Sequence, residues 1–300
     1  MDVLRTPSER FADLPDFPHE PHYTDVPDGE GGHLRIAHVE VGEGRPVLLM
    51  HGEPSWSFLY RHVMPPLAAA GLRAVAPDLV GFGRSDKPTR QADYSYARHV
   101  AWMSAWLEAV DLRDVVLFGQ DWGGLIGLRL VAAHPDRFAG IVVANTGLPT
   151  GDQRMPEAFE AWREFSRTSP GFDVGRVVAN GTVSELPPEV VAAYDAPFPD
   201  DDHKAGARVF PSLVPASPDD PAADDQRAAW VVLSTWDKPC STAFSDADPI
   251  TAGGERPFRK LVPGAATSPH RTIEGAGHFL QEDAPDEVVA AIVDVVRLLD

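Results

Sequence analysis

The sequence predicts an α/β fold: a mostly parallel, twisted sheet flanked by helices, with an inserted helical cap. Three observations carry this. Short apolar runs alternate with longer helical patterns, the rhythm of strands joined by crossover helices. Several runs, such as Val115–Phe118, are apolar without alternation, as strands buried on both faces require. The rhythm stops near Gly147 and resumes near Arg227, which is the pattern of one core interrupted by one insertion.

The elements follow in order. Leu34–Val41 alternates like a half-exposed antiparallel strand, and Pro46–Met50 is continuously apolar. A helix is expected over Phe58–Ala70, kinked at Pro65 and Pro66. Arg73–Ala76 is a short strand that enters the loop Pro77–Pro88. Ser95 can cap a helix running to about Val110. Val115–Phe118 is a strand, Gly123 to about His134 a helix stopped by Pro135, and Phe138–Ala144 another strand.

Three segments result: 1–146 as the first part of the core, 147–225 as a cap, and 226–300 as the rest of the core. The middle segment is rich in Pro, Asp and Phe, and Pro197–Pro221 reads as loop. Its aromatics, Phe159, Trp162, Phe165, Tyr194, Phe198 and Phe210, argue for a packed lid rather than a linker. The last segment offers a helix near Arg227–Trp236, strands at Cys240–Phe244 and Arg271–Ile273, and an amphipathic helix from about Pro285 to Leu299.

Composition narrows the class. The chain has 300 residues, 43% of them apolar, enough to bury a large core. The net charge of −19 repels phosphate backbones and anionic lipid, so neither nucleic acid nor membrane is an expected partner. No stretch approaches the ~20 apolar residues of a spanning helix, and the acidic, proline-bearing N-terminus does not read as a secretory signal. A cytoplasmic location is the default. The single cysteine, Cys240, can form no intramolecular disulfide and reads as a small core residue.

The chemistry lies in Gly119-Gln120-Asp121-Trp122-Gly123, between a strand and a helix. Small residues two before and two after a central residue permit a sharp turn that projects the central side chain above the carboxyl edge of the sheet. This is the nucleophile elbow of the α/β-hydrolase fold, with Asp121 where serine is usual. Alone, such a motif would more often be a helix-capping Asp; here the flanking elements and two downstream partners favour the elbow. His51-Gly52-Glu53-Pro54 follows a strand, so the N–H groups of Glu53 and Trp122 are the expected oxyanion donors. His278, in Gly275-Ala276-Gly277-His278-Phe279, is the histidine late enough for the order nucleophile, acid, histidine. The acid falls to Asp246 or Asp248 after the strand ending at Phe244, and the Asp-Pro step favours Asp248. The position after Phe138–Ala144 reads Asn145-Thr146-Gly147 and offers no carboxylate.

A carboxylate is already anionic at neutral pH and can displace a leaving group from saturated carbon without a base, leaving an ester. Water activated by His278 can then hydrolyse that ester, with Asp248 holding the imidazole.

At these residues the sequence resembles the haloalkane dehalogenases, in particular the subfamily whose acid follows the later strand. The segments HGEPSW, PDLVGFGRSDKP, GQDWGG, YDAPFPD, AGARVFP and GAGHFLQED carry the likeness over most of the chain. The resemblance implies a small halogenated substrate, a halide-ion product, and two indole N–H donors for that halide, Trp122 and, in Phe159-Glu160-Ala161-Trp162, Trp162. It implies that the Glu53 carboxylate positions the hydrolytic water. Leu125, Phe159 and Ile250, beside matched motifs, are candidates for the pocket wall. No metal or other cofactor is implied. Two rival readings remain: an epoxide hydrolase, whose family pattern is HGFP with two lid tyrosines where this chain has Glu53 and Tyr194 alone, and a non-catalytic binding protein of the same fold.

Overall fold

The computed structural model describes residues 1–299. Eight strands form one sheet: β1 (His22–Pro27), β2 (His33–Val41), β3 (Arg45–Met50), β4 (Leu72–Pro77), β5 (Val115–Gln120), β6 (Phe138–Ala144), β7 (Cys240–Ser245) and β8 (Arg271–Ile273). Their order across the sheet is β8-β7-β6-β5-β3-β4-β2-β1. The pairs β1–β2 and β2–β4 are antiparallel, and every pair from β4 to β8 is parallel. The burial pattern explains the sequence signal. Every residue of β5 and β6 is buried, as crossover helices on both faces demand, and β2 alternates only over its first four residues.

The helices of the core are α1 (Met64–Ala69), α2 (Tyr96–Ala109) and α3 (Trp122–Ala133). Ser95 caps α2 by accepting the Arg98 N–H. The expected kinked helix over Phe58–Ala70 is instead two pieces, a 3-10 turn at Ser57–Tyr60 and α1. Pro65 and Pro66 occupy the first turn of α1, where the missing N–H costs no intrahelical bond, so they start the helix rather than bend it.

Between β6 and the next core helix lie α4 (Glu157–Thr168), α5 (Val174–Asn180), α6 (Pro188–Asp195) and α7 (Ala205–Val209). The expected loop at Pro197–Pro221 is corrected in part: 3-10 turns at Asp201–Lys204 and Phe210–Leu213 bracket α7. Phe210 is fully buried against Phe82, His99 and Trp122, so this stretch is anchored to the core by an aromatic contact. The core then closes with α8 (Ala223–Leu233), α9 (Glu255–Leu261), α10 (Leu280–Asp283) and α11 (Pro285–Val296). Cys240 is buried in β7, and the low polarity around it raises its thiol to about 12. Among the described residues no helix is long and apolar enough to cross a membrane.

Candidate active site

Asp121 sits between the end of β5 and the start of α3 with φ 50° and ψ −125°, a backbone conformation that costs energy in any residue but glycine. The crowding around it explains the two framing glycines. A Cβ on Gly123 would overlap the carbonyl oxygen of Met50, and one on Gly119 would crowd the Cα of Gly124. The strain is held from outside the turn: the Asp121 N–H donates to the Asn145 carbonyl at 3.1 Å, and Thr146 Oγ1 donates to the Asp121 carbonyl at 2.7 Å.

This backbone aims the Asp121 carboxylate away from the sheet, and its two oxygens face different groups. Oδ1 accepts the Glu53 N–H at 2.7 Å, and Oδ2 lies 3.5 Å from His278 Nε2. The other ring nitrogen, Nδ1, is 2.9 Å from Asp248 Oδ2. Asp248 is buried, its Oδ1 accepts the Ile250 N–H at 2.9 Å, and Thr251 Oγ1 donates to its Oδ2. Burial alone would raise this carboxyl; the charge of His278 and these hydrogen bonds outweigh it and hold Asp248 below the usual carboxylate range. Its neighbour Asp246 points elsewhere and accepts the Gly275 N–H at 2.8 Å. The structure therefore brings Asp121, His278 and Asp248 together and leaves Asp246 out.

His278 feels three opposed influences. Burial disfavours the imidazolium, but the charges of Asp248 and Asp121 and the hydrogen bonds to them push the ring up to about 10. Glu53 is buried beside the same carboxylate. Desolvation first, and the Asp121 charge second, drive its carboxyl well above the ordinary range, while His278 and the Trp162 side chain act the other way. Glu53 Oε1 has no hydrogen-bond partner among the described residues.

Glu53, Asp121 and His278 line a cavity of about 770 Å³, and Trp122, Trp162, Leu125, Phe159 and Ile250 lie on its wall as well. Trp122 is wedged between Tyr96 and Phe210, with ring centroids 5.1 and 4.6 Å away. Trp162, on α4, lies on the same wall, hydrogen-bonds the Glu53 carboxyl through its side chain and is only half-buried. Tyr194 is not on the wall. It is fully buried and donates to Glu282, which is also held by Arg61 at 2.5 and 2.7 Å.

Sequence reasoning passed over one residue that ties the site together. Asn145, fully buried with φ 38°, directly follows β6. Its Nδ2 donates to Ser245 Oγ at 2.9 Å, to the Gly277 carbonyl at 3.0 Å and to the His278 carbonyl at 3.1 Å. Its Oδ1 accepts the Ser245 N–H at 2.9 Å. One side chain thus links the strand that carries the acid to the loop that carries the histidine, while its backbone holds the nucleophile. Its only signal in the sequence was a polar residue at the carboxyl end of an apolar strand.

The comparisons with known proteins agree with this geometry. The alpha/beta hydrolase fold model matches residues 45–194. A haloalkane dehalogenase from Psychrobacter cryohalolentis is 53% identical over 99% of either chain. One from Mycobacterium marinum is 53% identical over 98% of this chain and 99% of its own. Among solved structures, the haloalkane dehalogenase DpaA from Paraglaciecola agarilytica has a TM-score of 0.91 at 35% identity, covering 98% of both chains. DatA from Agrobacterium tumefaciens has a TM-score of 0.75 at 25% identity, over 97% of this chain and all of that one. A likeness of this degree, running end to end and through the elbow, makes the chain a member of the haloalkane dehalogenase family within the α/β-hydrolase fold.

Proposed function

We propose that the chain hydrolyses a haloalkane to an alcohol, a halide ion and a proton, by way of an ester on Asp121. The observation that carries this reading is the division of labour between the two oxygens of that carboxylate. Oδ1 is held on the Glu53 N–H, and Oδ2 is left towards the cavity and His278. Oδ2 attacks the halogen-bearing carbon, the carbon–halogen bond breaks, and its electron pair leaves with the halide. The indole N–H groups of Trp122 and Trp162 take up the diffuse charge in a dry pocket, where neutral donors stabilise an anion without holding it as an ion pair.

Ester formation cancels the charge on Asp121. One of the two carboxylates that keep His278 protonated is then lost, so the ring becomes a better base at the step that needs one. His278 Nε2 takes a proton from water, whose oxygen attacks the ester carbonyl carbon. The developing oxyanion is on Oδ1, already at the Glu53 amide, with the Trp122 N–H as second donor. When it collapses, the bond from Cγ to Oδ2 breaks, and the alcohol leaves with Oδ2 and the proton held by His278. Asp121 is regenerated with the water's oxygen and loses the remaining proton to solvent. Asp248 fixes the tautomer and stabilises the cation. The unpartnered Oε1 of Glu53 supplies an acceptor for that water. Residues 147–225 act as a cap that brings Trp162 to the site and excludes solvent.

The epoxide hydrolase reading is disfavoured by Tyr194, the one tyrosine of that segment, which is committed to Glu282. Bromide release from 1-bromobutane, set beside ring opening of 1,2-epoxybutane, tests the choice. Release of bromide with no diol is the expected result; diol without bromide contradicts it.

A further inference from the structure

A volume of about 770 Å³ is that of a site for a drug-sized ligand, far more than a haloalkane of two or three carbons can fill. The shape of the wall shows where the rest of a substrate would go. On α4 the indole of Trp162 stacks on Phe165 one turn along, with centroids 5.7 Å apart and ring planes inclined by 24°. Phe172 backs both rings, at 5.9 and 6.1 Å. Phe165 is itself 43% exposed, and Leu261 on α9 is 49% exposed; both belong to the cavity wall. An aromatic strip therefore runs from the site to a rim where large apolar side chains are left in water. Exposed apolar surface continuous with a cavity marks a place where something apolar binds.

The wall also says what the substrate's far end is not. Besides Glu53, Asp121 and His278, the only charged side chain among the described lining residues is Arg154. Its side chain is 87% exposed and faces Glu157 at 3.7 Å. Away from the reacting groups, the described wall therefore holds no buried charge to pair with a charged tail.

We propose that the site selects terminal haloalkanes with long alkyl or aryl-bearing tails, the tail lying along Trp162 and Phe165 and leaving between Phe165 and Leu261. This rests on the dehalogenase reading above and adds the substrate class to it.

Bromide release from 1-bromobutane, 1-bromohexane, 1-bromooctane and 1-bromodecane tests the proposal. kcat/KM should rise roughly fourfold for each methylene buried, mainly through KM, because tail contacts far from the reacting carbon are made equally in ground and transition states. Leu261→Ser and Phe165→Ser should each lower the ratio of kcat/KM for 1-bromodecane over 1-bromobutane by about tenfold. That ratio does not depend on how much of a variant folds. A series that is flat or falls beyond 1-bromobutane, or a ratio untouched by both substitutions, overturns the chain-length proposal and leaves the dehalogenase reading intact. No bromide from any member of the series overturns both.

Discussion

The Glu53 amide donates to Oδ1 of Asp121 at 2.7 Å, so in the proposed mechanism the oxygen that would become the ester carbonyl is already on its oxyanion donor before substrate arrives. On that reading the site is preorganised for the second step, and Oδ2 is the attacking atom in the first. Each group around the carboxylate then has one task, which a single substitution can remove.

Trp162→Phe deletes an N–H donor while keeping an aromatic ring in the stack with Phe165 and Phe172. Loss of one oriented donor should lower turnover about 100-fold. Bromide titration with tryptophan fluorescence should show quenching in the wild type and much weaker quenching in the variant. Equal quenching and equal kinetics would reduce Trp162 to lid packing.

The two neighbouring carboxylates make a direct comparison. Asp248→Ala removes the partner of His278 Nδ1 and should cost about a thousandfold in kcat, whereas Asp246→Ala loses only a hydrogen bond to the Gly275 N–H and should cost a few-fold at most. Steady-state bromide release decides it, and a reversed order would move the acid to Asp246.

Asn145→Ala strands the buried Gly277 carbonyl and the Ser245 amide, and it puts alanine at a φ of 38° that asparagine tolerates better. A loss of ~2–4 kcal/mol in stability is expected at this degree of burial. Because Gln120 still donates to the His278 carbonyl at 3.1 Å, the histidine loop should stay in place but lose its fixed register. The kinetic mark is a fall in kcat with little change in KM, and thermal unfolding with a Michaelis–Menten series measures both. Stability lost with kcat intact would leave Asn145 a purely structural residue.

Much of this was legible in the sequence for a physical reason. Strands buried on both faces must be apolar throughout, so β3, β5 and β6 stood out, and the glycines at 119 and 123 are forced by backbone crowding. The edge strand β1 was missed because only Val26 in it is buried, and an exposed edge needs no apolar run. The pieces within 197–221 were missed because α7 is five residues long and its stability comes from Phe210 docking on Trp122, a tertiary contact. Asn145 was passed over because its importance lies in three loops that meet only after folding. The Asp246–Asp248 choice rested on one Asp-Pro step, and the geometry around His278 supplies the rest.

The pH dependence of the two chemical steps should differ. With Asp121 and Asp248 both charged, His278 holds its proton up to about 10. Alkylation needs no base, so its rate should be flat through neutral pH. Hydrolysis needs the neutral ring and should rise with pH, with a midpoint below about 10 because the ester has removed the Asp121 charge. Single-turnover stopped-flow across pH 5–10 separates the steps. A hydrolysis rate that climbs only near pH 10 would mean that esterification does not retune the histidine.

The central claim is that Asp121 becomes covalently attached to the substrate carbon. His278→Gln should form the ester and fail to break it down, because displacement needs no base and hydrolysis does. Mixing this variant with 1-bromohexane and measuring its intact mass should show one added hexyl group per chain, mapping by peptide digestion to Asp121. An unmodified chain that still binds the substrate and releases bromide would contradict the claim, and would place the attack on carbon with water rather than with the carboxylate.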